Sequence, residues 1–247
     1  MHRFVASVKK FMYALQMFTY RSYKLERLDT GDYTESEYEV CLSELRFINR
    51  FIGDTWALKR TLLREISETN LTTFSVLDVG AGSGELLREI AKFGRKTKRK
   101  AKLCGLEYNS RSAESILSES IEFSEISSVR GDGFSLPFAD NSFDFAICSL
   151  FTHHFTDESV VEIIAEMSRV SRIKIFVIDL HRHFFAYQLY KMFCRLFRIS
   201  SMVTEDGSLS VLRGFKPKEL ENLAESANFK NITVKKYFPF RIVLSGK

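Results

Sequence analysis

The stretch Val76-Leu77-Asp78-Val79-Gly80-Ala81-Gly82-Ser83-Gly84-Glu85 decides the fold of this chain. A short apolar run that stops abruptly in glycines is typical of a buried parallel strand followed by a tight turn. Glycines at such a turn let the backbone approach a ligand closely, and the helix predicted to follow offers free N–H groups. The third glycine comes one residue earlier than in the G-x-G-x-x-G fingerprint of dinucleotide-binding proteins. The carboxylate of Asp78 would repel a pyrophosphate but could hold a cationic aminoacyl group.

Strand and helix patterns alternate on both sides of this turn. The sequence predicts an α/β fold with a parallel, doubly wound sheet, whose ligands bind at the carboxyl ends of the strands. The predicted strands cover residues 75–79, 102–107, 127–131, 143–148, 173–179, 232–237 and 240–244, and the predicted helices cover residues 37–51, 56–66, 85–93, 111–117, 158–170 and 219–227.

The composition is that of an ordinary globular protein. Of the 247 residues, 45% are hydrophobic, only 3 are prolines, and no stretch reaches the ~20 apolar residues needed to span a bilayer. Collagen-like, coiled-coil and integral membrane classes are therefore excluded. The four cysteines form no C-x-x-C pair, so the sequence predicts neither a metal site nor a disulfide framework. A reducing compartment follows, and we expect a cytoplasmic protein.

The formal net charge of +5 lies at the amino terminus, because residues 1–28 contain six basic side chains and one acid. Their apolar residues recur at helical spacing, which predicts an amphipathic helix that either packs on the domain or makes peripheral contact with an anionic membrane. A signal peptide is not favoured, since Gln16 interrupts the apolar run and no small-residue cleavage site follows.

A second basic run, residues 92–102, holds seven lysines and arginines. It connects a predicted helix to the next strand and should therefore lie at the opposite edge of the sheet from the ligand. We expect a solvated loop there rather than a nucleic-acid partner.

Acidic residues follow the next two strands. Glu107 ends the second strand, where a carboxylate can accept hydrogen bonds from both hydroxyls of a ribose. Asp132 lies in a Gly-Asp-Gly turn after the third strand, where it could accept from an adenine amino group, although this sequence is also a common turn.

These pieces, together with the turn at residues 136–144, resemble the class I S-adenosylmethionine-dependent methyltransferases over residues 74–180. The most similar branch acts on small molecules and includes quinone-biosynthesis C-methyltransferases. The resemblance implies a Rossmann-like, doubly wound, seven-stranded, mostly parallel sheet and S-adenosylmethionine as the cofactor. One departure puts the branch in question, because residues 169–174 replace the Lys-Pro-Gly-Gly turn that often precedes the fifth strand.

The resemblance also implies which residues bind the cofactor. It assigns the methionine moiety to the glycine turn, the ribose to the end of the second strand and the adenine to the residues that follow. Tyr108 could equally pack within its own loop. The implied cofactor-binding residues are Asp78, Gly80, Gly82, Gly84, Glu107, Tyr108, Asp132 and Gly133.

Catalysis by such an enzyme needs proximity and the removal of one proton from the acceptor. His153 and His154 follow the fourth strand, and His154 is the stronger candidate for the general base. Paired histidines at this place in the family can instead have a structural role in capping or packing.

The segment of about residues 180–214 is predicted to be an acceptor lid. It is rich in aromatic residues, and residues 182–203 contain four basic side chains and no acid. This composition fits a flat or lipid-like, anionic acceptor, and a helix that only packs on the domain is the alternative.

The sequence therefore predicts a helical extension at residues 1–70 and a methyltransferase domain at residues 71–247. The predicted function is methylation of oxygen or carbon on a small aromatic or lipid-like acceptor. A non-catalytic cofactor-binding or scaffold protein of the same fold stays open. An RNA or protein methyltransferase is disfavoured, because no Asn-Pro-Pro-Tyr-type motif follows Cys148. The sequence does not indicate an oligomeric state.

Overall fold

The computed structural model describes residues 16–247, without the side chain of Arg50. The described chain forms two compact units. The first unit comprises residues 16–53 and 180–216, and the second unit comprises residues 54–179 and 217–247. The predicted division at residue 70 stays a prediction.

The helices and strands alternate through the centre of the chain, as the sequence predicts. The helices are α1 (Arg27–Thr30), α2 (Glu35–Ile52), α3 (Thr55–Arg60), α4 (Leu62–Glu68), α5 (Glu85–Lys96), α6 (Ser110–Glu119), α7 (Asp157–Val170), α8 (Phe184–Phe197), α9 (Ser201–Arg213) and α10 (Pro217–Ser226). The strands are β1 (Thr73–Val79), β2 (Lys100–Glu107), β3 (Ile126–Arg130), β4 (Phe143–Ser149), β5 (Ser171–Leu180), β6 (Thr233–Tyr237) and β7 (Arg241–Gly246).

The seven strands form one sheet in the order β3-β2-β1-β4-β5-β7-β6. β1 pairs in parallel with β2 and with β4, and the pairs β2–β3 and β4–β5 are also parallel. β6 and β7 pair in the antiparallel direction. The predicted doubly wound, mostly parallel sheet is confirmed. The strand order reverses between β1 and β4, and ligands of such sheets bind outside the carboxyl ends of the strands at this point.

The core of the second unit lies on both faces of the central strands. Val76, Phe145 and Ile178 are fully buried, as are Leu87 and Ile90 on α5. Continuous burial explains why these strands read as unbroken apolar runs in the sequence. The buried strands therefore hold their carboxyl ends in fixed positions.

The prediction of one continuous helix at residues 56–66 is wrong in one respect, because the helix is interrupted at Thr61. Thr61 leaves the helical region with φ −119° and ψ −92° and separates α3 from α4. Its hydroxyl donates to the carbonyl of Ala57 at 2.7 Å. Threonine competes in this way for backbone acceptors, and hydrophobic periodicity does not register it.

The first unit has a small core of its own. Cys41 and Ile48 of α2 pack with Met202 and Val203 of α9. Buried Arg213 holds the segment around α1 in place, since it contacts the carboxylate of Asp29 at 2.8 Å and donates to the carbonyl of Lys24 at 2.9 Å. The segment predicted as a lid thus contains two helices, α8 and α9.

The amphipathic helix predicted within residues 1–28 falls partly on residues 1–15, which lie outside the described residues. Within the described part, Gln16 is helical, residues 21–26 have no regular secondary structure, and a short helix begins at Arg27. No helix of residues 16–247 combines the length and the hydropathy needed to cross a bilayer.

Candidate active site

The glycine turn after β1 has a left-handed backbone at three positions. Gly80, Gly82 and Gly84 have φ angles of 72°, 57° and 79°. A Cβ atom at Gly80 would lie 2.5 Å from the ring of Phe151, whereas one at Gly82 would meet no atom within 4 Å. Gly80 is therefore required by packing beneath the turn, and Gly82 faces open space that a ligand can approach.

Gly84 is the N-cap residue of helix α5 and provides no side-chain hydrogen bond to its first N–H groups. The first N–H groups of a helix have no partner within the helix, and the helix dipole makes this end attractive to negative charge. The first residues of α5 thus offer backbone donors beside the glycine turn.

Asp78 lies in β1 opposite Gly105 of β2 and Ile147 of β4. The residue is only 2% exposed, and its Oδ1 finds no hydrogen-bond partner among residues 16–247. Burial, together with the neighbouring carboxylates of Glu107 and Asp54, raises the pKa of the Asp78 carboxyl to about 8. A buried acceptor without a donor is costly, so this geometry fits a carboxylate that awaits a cationic ligand.

Glu107 ends β2 beside the glycine turn. Its Oε1 accepts a hydrogen bond from the N–H of Gly82 at 2.5 Å. Burial raises the pKa of Glu107, and hydrogen bonds from the backbone of Gly82 and Tyr108 oppose this rise. The structure therefore brings Asp78, the glycine turn and Glu107 together.

The predicted adenine-side residues lie in the loops after β2 and β3. The N–H of Gly131 donates to the carbonyl of Glu107 at 2.9 Å, which ties these loops together. Tyr108 is 74% exposed, and Asp132 is exposed and accepts from the N–H of Phe134 at 2.9 Å. Gly133 is buried, and a Cβ atom there would lie 3.5 Å from the ring of Phe151.

Phe151 is a site residue that the sequence reasoning missed. Its ring supports both Gly80 and Gly133, and it packs edge-on against Phe155 with ring centroids 4.9 Å apart. The available signal was its position two residues after the end of β4. An aromatic residue at that distance from a buried strand can reach under the neighbouring turns.

The two histidines lie on a short 3₁₀ turn, Thr152–His154, after β4. His153 is buried, and its Nδ1 lies 2.6 Å from Oδ1 of Asp179 at the end of β5. The other oxygen of Asp179 accepts from the hydroxyl of Thr152 at 2.6 Å. His154 is half-buried, and its ring centroid lies 4.2 Å from that of His153. Asp179, which the sequence reasoning did not single out, therefore fixes this turn.

A buried ion pair borders the same edge of the sheet. Asp54, just before α3, accepts from the Nε of Arg241 and from the hydroxyl of Ser149 at the end of β4. Both charged residues are less than 10% exposed. No sequence signal marked this pair, because its members are 187 positions apart in the chain.

The basic run lies at the other end of β2 from Glu107. Two of its members are tied to neighbouring segments. Arg95 contacts the carboxylate of Glu125 at 2.7 Å, and Arg99 donates to the carbonyl of Thr69 at 3.1 Å. These contacts place part of the run away from the glycine turn, at the amino end of the strand.

Comparison with known proteins gives a consistent result. Residues 77–174 match the family described as a methyltransferase domain. No curated protein sequence matches the chain. The solved structures that are similar to it share its fold at low sequence identity.

One such structure is an S-adenosylmethionine-dependent methyltransferase from Aquifex aeolicus, with a TM-score of 0.59 and 15% identity over 83% of this chain and 96% of that chain. A second is magnesium protoporphyrin IX methyltransferase from Synechocystis PCC 6803 with bound S-adenosylhomocysteine, with a TM-score of 0.56 and 14% identity over 81% of this chain and 86% of the other. A third is the CMeT domain of the citrinin polyketide synthase, with a TM-score of 0.60 and 9% identity over 78% of this chain and 51% of that chain.

The family match runs from within β1 to within β5 and includes the glycine turn, Asp78, Glu107 and both histidines. The fold, the unpartnered carboxyl beside the turn and the family match agree with one another. Residues 77–174 are thus similar to the methyltransferase-domain family, and the chain has the fold of solved S-adenosylmethionine-dependent methyltransferases.

Proposed function

We propose that this methyltransferase acts on the oxygen or carbon of a small aromatic or lipid-like molecule. The observation that supports binding of the cofactor is the buried carboxyl of Asp78, whose Oδ1 accepts no hydrogen bond within the described chain. S-adenosylmethionine supplies a methyl group on a positively charged sulfur, together with an ammonium group that a carboxylate can bind. The residues around the glycine turn fit these groups.

The chain's own residues divide the task of binding. Asp78 faces the ammonium group, and Gly80, Gly82 and Gly84 let the backbone approach the methionine moiety. Glu107 accepts from the ribose hydroxyls, since a carboxylate at the end of the second strand suits this role. Tyr108, Asp132 and Gly133 would contact the adenine.

We assign the removal of the acceptor proton to His154. His153 is held against Asp179, and its ring lies beside that of His154. Because the His154 ring packs on a second ring that is itself held in place, its orientation is largely set before the acceptor binds. A general base needs such a fixed position. His153 is the second candidate for the same step.

The acceptor class rests on the segment of residues 180–214, which we propose as the acceptor lid. Its aromatic side chains and its basic residues suit a flat or lipid-like molecule with negative charge. The proposal has three further parts. The protein belongs to a branch similar to quinone-biosynthesis methyltransferases, it is located in the cytoplasm, and it makes membrane contact through residues 1–28. The alternative is a scaffold protein that binds the cofactor without catalysis.

Calorimetry with S-adenosylhomocysteine tests the cofactor residues. We expect Asp78→Ala and Glu107→Ala each to weaken binding at least tenfold, because each removes a carboxylate from the site. Glu68→Ala is the matched control, since this carboxylate lies on an exposed part of α4. Unchanged affinity in both site variants would overturn the assignment.

Incubation with isotope-labelled cofactor and an extract of phenolic and lipid metabolites tests the acceptor. Labelled product is expected in one of these fractions, and His154→Ala should reduce its rate at least a hundredfold without changing cofactor affinity. A protein that binds the cofactor but labels nothing in either fraction would be a scaffold.

A further inference from the structure

Helix α8 exposes a stripe of large apolar side chains. Phe185, Leu189, Met192 and Leu196 are exposed by 60%, 47%, 62% and 73%. Their spacing of four, three and four residues places them on one side of the helix. Soluble domains usually bury such residues, and a contiguous exposed set marks an interaction surface.

The opposite side of α8 holds the helix in the first unit. Ala186 and Cys194 are buried, and the hydroxyl of Tyr190 donates to the carbonyl of Val203 at 2.7 Å. The exposed stripe is therefore the outer side of a helix that is already packed and oriented. It has no role in the core of the unit.

Phenylalanines extend this apolar surface to one side. The ring of Phe197 lies 5.4 Å from that of Phe47 and 6.2 Å from that of Phe51, both on α2. Phe51 is 59% exposed and Phe197 is 45% exposed. We call the stripe together with Phe47, Phe51 and Phe197 the α8 face.

Basic side chains border the stripe on its other side. Lys191 and Arg195 are exposed and lie one turn apart on α8, and Arg198 follows at its end. No acidic residue occurs between positions 182 and 203. The border of the α8 face that this helix supplies therefore carries positive charge only.

This combination specifies the occupant. Apolar side chains in a row can enter the boundary between lipid headgroups and acyl chains, while lysine and arginine reach back to the phosphates. From Phe185 to Leu196 the stripe runs about 16 Å along the helix axis, which suits a helix lying in the plane of a bilayer. A second copy of the chain would bring its own lysines and arginines against these, and like charges disfavour that pairing.

We propose that the α8 face docks on the surface of a bilayer that contains anionic lipids. The proposal concerns residues other than 1–28, and it stands independently of methyl transfer. Docking would hold the protein at the phase in which lipid-like molecules dissolve.

Flotation with vesicles tests the proposal on the full chain. The probes are vesicles of phosphatidylcholine with 30% phosphatidylserine and vesicles of phosphatidylcholine alone. We expect the protein to float with the anionic vesicles and to bind the neutral ones at least tenfold more weakly, because each lysine or arginine near an anionic surface adds about fivefold in affinity.

Two double variants separate the apolar and the charged parts. Met192→Glu with Leu196→Glu, and Lys191→Glu with Arg195→Glu, should each lower binding to anionic vesicles at least tenfold. Ile121→Glu is the matched control for the first, since Ile121 is 84% exposed on the second unit. Lys96→Glu with Lys100→Glu, both exposed in the basic run, is the control for the second.

The outcomes are distinct. Circular dichroism and melting temperature verify that each variant is folded, and deletion of residues 1–15 should leave the dependence on the α8 face intact. Protein that stays unbound with anionic vesicles, or α8 variants that bind as the unchanged chain does, would overturn the proposal. Light scattering that shows a dimer abolished by Met192→Glu, without vesicle binding, would make the face a contact between copies. Neither result depends on cofactor binding or activity, so failure here leaves the proposed cofactor binding and methyl transfer untouched.

Discussion

Replacement of Asp78 by asparagine should stabilise the cofactor-free protein, and the gain should grow with pH. Burial, with the charges of Glu107 and Asp54, raises the pKa of Asp78 from its ordinary value of 3.8 to about 8. Between these values the folded chain keeps a proton that the unfolded chain releases. The stability of the unchanged protein must therefore fall as the pH rises from about 4 to about 8, and the asparagine variant lacks this contribution.

The size of the effect follows from the pKa difference. Each pH unit inside this window changes the free energy of unfolding by about 1.4 kcal/mol. The charge-related cost of Asp78 is thus about 4 kcal/mol at pH 7, and it differs by about 3 kcal/mol between pH 5 and pH 7. Below pH 4 both states hold the proton and the cost vanishes, and above pH 8 it stays constant.

Urea unfolding without cofactor at pH 5, 6 and 7 measures this directly. The difference in unfolding free energy between Asp78→Asn and the unchanged chain should increase by about 3 kcal/mol from pH 5 to pH 7. Asp132→Asn serves as the control, because that side chain is exposed. A difference for Asp78→Asn that is the same at all three values would refute the reasoning. The same variant should lose affinity for S-adenosylhomocysteine, so that stability rises while binding falls.

Three further predictions concern the backbone of the glycine turn and the buried ion pair of Asp54 and Arg241. Urea unfolding and calorimetry test them. Gly80→Ala should cost about 3 kcal/mol, from a left-handed backbone and from contact with Phe151, and Phe151→Leu in the same chain should restore part of this. If the double variant is no more stable than the single one, the ring is not the cause. Gly82→Ala should cost only about 1 kcal/mol, because its Cβ meets open space, yet it should weaken cofactor binding; unchanged affinity would contradict the proposed approach of the ligand. Asp54→Asn should cost about 3 kcal/mol, since it leaves the charge of buried Arg241 without its carboxylate, and a loss below 1 kcal/mol would show that the pair is not coupled.

The sequence predicted the central fold well, because the buried strands and their helices have clear periods. The strand that ends at Val79 and the helix that begins at Glu85 agree with the structure at these bounds, since glycines punctuate the chain there. Thr61 shows the limit of the method. A hydroxyl that takes a backbone acceptor breaks the predicted helix without disturbing the apolar spacing.

The candidate site was predictable where a single acidic residue stands at the carboxyl end of a predicted strand. Asp78 and Glu107 were found in this way, and the structure brings both to the glycine turn. Asp54 could not be found, because its partner Arg241 is distant in sequence and only the folded sheet brings them together. The contact between Asp179 and His153 was not predicted for a different reason, since the sequence does not show which side chain an acid at a strand end contacts.

The position of Phe151 links the two ends of the proposed cofactor site. Its ring lies against Gly80, which we propose for the methionine moiety, and against Gly133, which we propose for the adenine. A fragment that binds at one loop would therefore also act on the ring that contacts the other loop. We therefore expect methionine-like and adenosine-like fragments to bind with positive cooperativity, and smaller side chains at position 151 to make their affinities independent. Inhibitors that span both loops would then gain more than the sum of their parts.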